Sequence, residues 1–179
     1  MKFKSYLILI AALMFATVSC EKSKAETPEQ EISEEETPGE ETPGEETPEE
    51  EIPEPIHITL ESHDNMTYTG GDLFNAKVNG DIKLTLENVG QLPKEAMGHN
   101  LVVLTPGTDH AEFSGEAFKA KDEDYVPATF ASSIVAHTKL LGPGESDVIT
   151  FKIDKVGTYT FVCSFPGHWG TMRGTIIVE

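Results

Sequence analysis

The sequence of 179 residues is poor in cysteine, in basic residues and in long apolar runs, and each shortage excludes a class of protein. The two cysteines, Cys20 and Cys163, lie in chemically different segments, which excludes a disulfide-stabilised scaffold. Lysine and arginine total 13 against 31 acidic residues, so a basic face that would bind nucleic acid is excluded. The longest mainly apolar run, Tyr6–Val18, has 13 residues, whereas a helix that crosses a bilayer needs about 20.

The first twenty residues are predicted to be an export signal. A short basic start, Met1–Lys4, precedes the apolar run, which ends at Thr17-Val18-Ser19-Cys20. This pattern resembles a bacterial lipoprotein signal, in which the cysteine becomes the lipidated first residue of the mature chain. We therefore predict a signal peptide over residues 1–19 and a lipid anchor on Cys20, in a periplasmic or cell-surface protein. The alternative is an ordinary secretory signal that leaves an incidental thiol at position 20.

Residues 20–55 are predicted to be a disordered acidic linker. Residues 21–55 contain 15 glutamates and two lysines, a net charge of −13, whereas residues 56–179 carry a net charge of −7. A five-residue repeat of Glu, Thr and Pro runs through Glu36–Glu50, and almost no bulky aliphatic surface is present to offset the entropy of folding. Proline and the repulsion of like charges favour an extended chain. We interpret the segment as a spacer from a membrane, with an acidic docking segment as the alternative.

Residues 56–179 have the sequence pattern of an all-β domain. Apolar and polar residues alternate along Ile82–Glu87 and along Ile149–Asp154, as in strands with one buried face. The apolar runs Leu101–Leu104 and Thr175–Val178 predict strands that are covered on both faces. Residues 109–124, rich in Ala, Glu, Phe and Lys, predict a short helical insertion that a glycine weakens. Several short strands with one helix favour a Greek-key β-barrel or sandwich.

Two short segments contain the candidate metal ligands. Cys163, His168 and Met172 follow the spacing C-x4-H-x3-M in one loop after a predicted strand. A thiolate, an imidazole and a thioether are ligands that suit copper, with the thioether as a weak axial ligand. His99, which comes just before the strand Leu101–Leu104, supplies a second imidazole. Two histidines and one cysteine form the trigonal ligand set of an electron-transfer copper site.

Zinc binding and nucleophilic catalysis are the alternatives to a copper site. A structural zinc site normally has four strong ligands, and the thioether of Met172 is a poor ligand for zinc. A catalytic Cys–His pair would not need the methionine, and no obvious third residue that would orient the histidine accompanies the pair. We therefore predict a one-electron carrier rather than an enzyme. A copper buffering or delivery protein without redox turnover is the alternative function.

Residues 56–179 resemble the azurin family of blue-copper proteins. The matching segments are Leu92-Pro93-Lys94, Met97-Gly98-His99-Asn100, Val135–Leu140 and Cys163–Met172. The resemblance implies a cupredoxin-like Greek-key barrel with one type 1 copper ion per chain. It implies that His99, Cys163 and His168 are equatorial ligands, that Met172 is axial, and that the carbonyl oxygen of Gly98 is a weak fifth contact. It also implies that hydrogen bonds from Asn100 and Ser164 brace the ligand loops and the thiolate.

The sequence also departs from the pattern of the azurin family. It has no cysteine for the disulfide that is usual near the amino-terminal end of the family's domain, so other interactions must stabilise this one. Asn88 stands where the family has a pH-sensitive histidine, so we expect that pH switch to be absent. The resemblance further implies a monomer whose partners are redox proteins such as cytochromes or a reductase. Such partners would dock on an apolar patch near His168, for which the expected residues are Met66, Leu92, Met97, Phe165, Pro166 and Trp169.

Overall fold

The structure is a computed structural model, and it describes residues 53–179. The predicted signal peptide 1–19, Cys20 and all but the last three residues of the linker 20–55 lie outside the described residues. Within residues 53–179, no helix is long and apolar enough to cross a membrane. The elements in chain order are β1 Ile56–His63, β2 Thr67–Thr69, β3 Leu73–Ala76, β4 Ile82–Asn88, α1 Lys94–Met97, β5 Val102–Leu104, α2 His110–Lys119, β6 Ile134–His137, β7 Ser146–Phe151, β8 Gly157–Val162 and β9 Arg173–Val178, with 3-10 turns at Lys121–Glu123 and Ala128–Ser133.

The strands of residues 53–179 form two sheets. The first sheet has the strand order β2-β1-β4-β7, and the second has the order β3-β9-β8-β5-β6. The pairs β1–β4 and β3–β9 are parallel, and the other neighbouring strands are antiparallel. The chain crosses between the sheets several times, as in a Greek-key sandwich. The predicted fold class is therefore confirmed, with the detail that both sheets are mixed.

The hydrophobic core lies between the inward faces of the two sheets. Ile82, Leu84 and Leu86 alternate in β4 with more exposed neighbours, and each is at most 1% exposed. Phe161 and Ile176 of the second sheet belong to the same buried cluster. Removal of this apolar surface from water is the main favourable contribution to folding, because hydrophobic stabilisation scales with buried area.

The two predicted doubly covered strands have different outcomes. All four residues of Leu101–Leu104 are buried, as predicted. In β9 the prediction is wrong for the outward face, since Thr175 and Ile177 are half-exposed. Helix α2 covers only part of the second sheet. Its residue Phe113 packs in a cluster with residues of β5 and β8 but with none of β9, so the outward face of β9 is left partly exposed.

The predicted helical insertion over residues 109–124 is confirmed as α2 and the 3-10 turn that follows it. Asp109 caps the helix, because its carboxylate accepts hydrogen bonds of 2.9 Å from two N–H groups of the first turn. Phe113 and Ala117 form the buried face of the helix. Phe118 lies on the opposite face and is 67% exposed.

Candidate metal centre

Strand β8 delivers the candidate thiol to one end of the sandwich. Tyr159 and Phe161 of this strand are buried, and Cys163 follows the last strand residue with no exposed surface. The N–H group of Cys163 donates to the carbonyl oxygen of Met172 at 2.9 Å. This hydrogen bond joins the first and last residues of the loop that contains three of the predicted ligands.

The loop after Cys163 folds back so that His168 and Met172 point into the protein. The N–H group of His168 donates to the carbonyl oxygen of Phe165 at 3.1 Å, and that of Met172 donates to His168 at 2.9 Å. Gly167 has a φ of +83°, a left-handed conformation that favours glycine. His168 is 2% exposed and Met172 is fully buried, so the turn places an imidazole and a thioether in the interior.

A backbone bridge to Leu141 holds His99 in place. The N–H group of His99 donates to the carbonyl oxygen of Leu141 at 3.1 Å, and Leu141 donates back at 2.7 Å. Only glycine fits at the position before His99. A Cβ atom on Gly98 would lie 2.7 Å from the carbonyl oxygen of Lys94 and 3.1 Å from two side-chain carbons of Leu140. The close approach of helix α1 to this segment therefore depends on Gly98.

The three predicted strong ligands converge in the structure. One ligand atom each of His99, Cys163 and His168 lies within 4.8 Å of the other two, and all three residues are buried. The sulfur of Cys163 is 3.6 Å from Nδ1 of His168, and the two imidazole centroids are 5.0 Å apart. Met172 packs in the same buried cluster as Cys163, and Gly98 is buried beside His99. All five predicted ligand residues are thus buried in this region.

The donor set fits a copper ion. Both ring nitrogens of His99 are buried, and neither has a hydrogen-bond partner among the described residues. An unpaired buried polar atom is unfavourable, so a metal ion that accepts the lone pair of one ring nitrogen would remove the cost at that nitrogen. A cysteine sulfur, two imidazoles and a nearby thioether suit copper better than zinc, since methionine is a poor zinc ligand.

Asn100 and Ser164 connect the two ligand segments. The N–H group of Ser164 donates to Oδ1 of Asn100 at 2.9 Å, and Nδ2 of Asn100 donates to Oγ of Ser164 at 2.7 Å. Nδ2 of Asn100 also donates to the carbonyl oxygen of Asp124 at 3.1 Å. The structure therefore contains bracing hydrogen bonds of the kind that the resemblance implied.

Asn88, at the position of the family's pH-sensitive histidine, is a buried residue that makes structural hydrogen bonds. Its Nδ2 donates to the carbonyl oxygen of Leu141 at 3.1 Å, and its Oδ1 accepts from the N–H group of Gly90 at 2.9 Å. Leu141 is the residue that bridges to His99. Because an amide has no titration near neutral pH, Asn88 supports the ligand segment without adding a protonation equilibrium.

Burial shifts the proton affinities of the ligands in opposite directions. It lowers the pKa of His99 to about 4, although the nearby Asp64 carboxylate partly offsets the effect. Burial and the neighbouring His99 lower the pKa of His168 to about 4. Burial raises the pKa of the Cys163 thiol to about 11, despite hydrogen bonds from two backbone N–H groups. At neutral pH the imidazoles are therefore neutral, whereas the thiol must release its proton when a metal binds.

Four of the six residues expected in the apolar patch are at least partly exposed. Met66 is 37% exposed and Leu92 is 44% exposed, while Met97 and Pro166 are half-exposed. The hydroxyl of Thr171 donates to the carbonyl oxygen of Met66 at 2.8 Å, which connects the Met66 turn to the ligand loop. We call Met66, Leu92, Met97 and Pro166 the apolar patch.

Two residues expected in this patch have other roles. The expectation is wrong for Phe165, which is only 7% exposed because it packs in the cluster that contains Cys163. Its ring lies 4.7 Å from the imidazole of His168 and 5.0 Å from the ring of Tyr125, measured between centroids. Trp169 is half-buried and packs against the cluster beneath α2, so much of its indole is not available to a partner.

Sequence reasoning missed three residues that support the site. Leu141 bridges to His99, Tyr68 donates a hydrogen bond to the carbonyl oxygen of Asn100, and Oγ1 of Thr138 accepts one from the N–H group of Leu101 at 3.0 Å. Tyr68 is 32 positions from Asn100, and no spacing rule relates residues so far apart. The short strand β2 also offers no periodic signal that would reveal an inward-facing tyrosine.

A sandwich of two mixed sheets with a buried His-Cys-His cluster at one end defines the cupredoxin class of copper proteins. Residues 56–179 match the family described as copper binding proteins, plastocyanin/azurin family. The chain belongs to this family, and its cofactor is copper.

The relatives divide into those that match the domain and those that match nearly the whole chain. Azurin from Alcaligenes faecalis is 37% identical over 123 residues, which cover 66% of this chain and 94% of that protein. Outer membrane protein H.8 from Neisseria meningitidis serogroup C is 44% identical over 180 residues, with 97% of each chain covered. Among solved structures, reduced auracyanin from Roseiflexus castenholzii has 33% identity and a TM-score of 0.61, covering 69% of this chain and 96% of that one.

Proposed function

We propose that this chain is a membrane-tethered one-electron carrier. His99, Cys163 and His168 bind the copper ion as strong ligands, and the thioether of Met172 and the carbonyl oxygen of Gly98 are weaker ligands. Copper supplies the change of oxidation state that stores one electron. The observation that carries the proposal is the convergence of three buried donor groups, including the unpartnered ring nitrogens of His99.

The burial of the ligands supports a carrier rather than an enzyme. His99, Cys163 and Met172 have no exposed surface, and His168 is 2% exposed. Catalytic metal sites keep one coordination position open to water or substrate, and this cluster offers no surface for substrate to reach it. Backbone bridges and the bonds between Asn100 and Ser164 hold the donors in place, so the ligands need little rearrangement when the charge of the ion changes.

Electrons are proposed to enter and leave through the apolar patch. Met66 and Leu92 are its most exposed members, and Thr171 connects the Met66 turn to the loop that contains His168. Exposed apolar surface of this kind suits weak, short-lived docking, since redox encounters bury little area. The proposed partners are exported redox proteins such as cytochromes or a reductase.

The chain is proposed to consist of a signal peptide 1–19, a lipidated Cys20, an acidic linker through residue 55 and a copper domain 56–179. The H.8 relatives support this organisation because their match extends over 97% of the chain, beyond the copper domain. These relatives are outer membrane proteins by name. We therefore propose that this chain lies outside the cytoplasm, in the periplasm or at the cell surface, attached to a membrane by lipid.

The optical spectrum of the full-length, copper-loaded chain tests the function. A carrier should show an intense blue thiolate-to-copper band that bleaches with reductant and returns with oxidant. A delivery protein should instead bind cuprous ion without colour and transfer it readily to an acceptor protein. The second result would replace electron transfer by copper delivery.

Two substitutions test the ligand assignment. Cys163→Ala should abolish the blue band, because the band requires the cysteine sulfur. Met172→Ala should leave copper bound with an altered band or potential, because the thioether is a weak ligand. A full band in the Cys163→Ala protein would contradict the assignment, and loss of all copper from the Met172→Ala protein would contradict the weak role of the thioether.

A further inference from the structure

Tyr68 lies on strand β2 of the first sheet, whereas Cys163 follows strand β8 of the second sheet. It is the central residue of β2 and pairs with Ser62 of β1. Its ring packs against the buried cluster that contains Cys163, and its centroid is 6.0 Å from that of Phe161. Phe161 is two residues before Cys163 in the chain, so Tyr68 approaches the thiol from the interior of the sandwich.

The hydroxyl of Tyr68 is directed at the backbone next to His99. It donates a hydrogen bond to the carbonyl oxygen of Asn100. The N–H group on the other side of the same peptide, that of Leu101, donates to Oγ1 of Thr138 at 3.0 Å. The peptide that follows Asn100 is therefore held from both ends.

Asn100 connects this peptide to the segment that contains the Cys163 thiol. Its backbone N–H group donates toward the sulfur of Cys163, and its side chain accepts from the N–H group of Ser164 at 2.9 Å. Burial raises the pKa of Tyr68, so the phenol keeps its proton and remains a donor at neutral pH.

We propose that Tyr68 is a positioning residue for the copper ligand Cys163, and that its hydroxyl shifts the redox equilibrium toward the reduced ion. This inference rests on the proposed function. The hydroxyl fixes Asn100, whose N–H group points at the sulfur and whose side chain holds the N–H group of the residue after Cys163. Hydrogen-bond donors around a metal-bound thiolate withdraw electron density from it and so tune the potential. The reduced state is stabilised because the sulfur then carries more negative charge.

The variant Tyr68→Phe removes the hydroxyl and keeps the ring that packs on Phe161. In the full-length copper-loaded chain, we expect the ratio of reduced to oxidised copper at a fixed ambient potential to fall about fivefold, the effect of losing one ordinary hydrogen bond. The thiolate-to-copper band should also shift. The copper-free protein is measured in parallel by thermal unfolding, which reports the structural cost of the substitution separately.

Tyr159→Phe is the matched control. The hydroxyl of Tyr159 also donates to a backbone carbonyl, that of Lys155 at 2.9 Å, but it lies near the start of β8, away from Cys163. This control should lose stability without a change in the redox ratio or the band. Replacement of Tyr68 by 3-fluorotyrosine, whose hydroxyl is a stronger donor, should move the redox ratio in the direction opposite to Tyr68→Phe.

The outcomes separate this inference from the proposed function. A parent protein without a blue band would contradict electron transfer itself. A blue parent whose redox ratio is unchanged in Tyr68→Phe would show that Tyr68 only packs, and a ratio that rises in Tyr68→Phe would show that its hydroxyl disfavours the reduced state. Either result overturns the inference. If Tyr68→Phe did not fold, an unchanged ratio in the fluorotyrosine protein would overturn it equally.

Discussion

At the scale of single residues, the site is built from groups whose burial would be unfavourable without a metal. His99 has two buried nitrogens without partners, and Cys163 is a fully buried thiol. The amide of Asn100 and the hydroxyl of Ser164 are also buried, but hydrogen bonds to each other satisfy them. The polar atoms that brace the site are thus paired within the protein, whereas the ring nitrogens of His99 have no partner among the described residues.

The lowered histidine pKa values predict a pH-dependent stability for the copper-free protein. In the unfolded chain the two ligand histidines take up protons as the pH falls through about 6.5, whereas in the folded protein they resist protonation until about pH 4. Between these values the unfolded state binds more protons, so the free energy of unfolding should fall as the pH falls. The slope should reach about 1.4 kcal/mol per pH unit for each histidine.

Urea unfolding at several pH values checks this expectation. His168→Gln should reduce the slope by the share of one histidine. His57→Gln, which replaces an exposed histidine outside the site, is the control and should leave the slope unchanged. A stability that stays constant between pH 6.5 and pH 4 in the parent protein would contradict the depressed pKa values.

At the scale of elements, helix α2 packs over one part of the second sheet and covers it. Its buried residues Phe113 and Ala117 close the outer face of β5 and the ligand region. The remaining face of the helix is solvent-exposed and includes Gly115. Sequence composition predicted this helix but not its orientation, because the face that is buried depends on what lies beneath it.

We predict that Gly115→Ala stabilises the protein by about 0.5–1 kcal/mol, because glycine in a helix interior loses more conformational entropy than alanine. A Cβ atom at this position would have no atom within 4 Å apart from its chain neighbours and the backbone of its own helix. Urea unfolding of the copper-free protein measures the effect, and the blue band of the loaded protein should not change. Gly174→Ala is the contrasting variant and should be strongly destabilising, since its Cβ would lie 2.2 Å from the ring of Phe161.

At the scale of the whole molecule, charge and apolar surface are separated along the chain. Residues 21–55 carry a net charge of −13, whereas the apolar patch lies on the copper domain near the ligand loop. As the proposed polyproline II spacer, the 35 residues of that segment would reach at most about 110 Å, at ~3.1 Å per residue. The proposed anchor would then restrict the domain to a layer near the membrane, and the patch would be free to meet partners.

We predict that Leu92→Asp slows electron self-exchange between two copper-loaded molecules at least about tenfold, because like charges and a desolvated carboxylate would face each other in the encounter. Val156→Asp is the matched control. Val156 is 69% exposed and precedes β8, at the end of that strand away from Cys163, and the substitution makes the same change in net charge. Equal rates for the two variants would contradict docking through the apolar patch.

We predict that Cys20→Ala moves the protein from the membrane fraction to the soluble fraction, because the only proposed anchor is lost. Labelling of the parent protein with a radioactive fatty acid measures the modification directly. Cys163→Ala is the control, since it removes the other cysteine but should retain the label. A labelled Cys20→Ala protein would contradict the assignment of the anchor.

The sequence alone predicted the fold class and the candidate ligands, because both depend on local patterns. Alternation along Ile82–Glu87 identified strands, and the spacing of Cys163, His168 and Met172 placed three donor types in one loop. The second imidazole, His99, was predicted from its place just before the strand Leu101–Leu104, and it also stands in a segment that matches the family. Local spacing could not show that these groups share one buried volume.

The tertiary structure decided which residues surround those ligands. It buried Phe165, left Thr175 and Ile177 partly exposed, and brought Tyr68 from another sheet to the carbonyl of Asn100. Such contacts join residues that are far apart in the chain, and their burial depends on how two sheets and a helix pack. Periodicity records which side of a strand is apolar, but only packing determines what covers that side and what lies beside the metal.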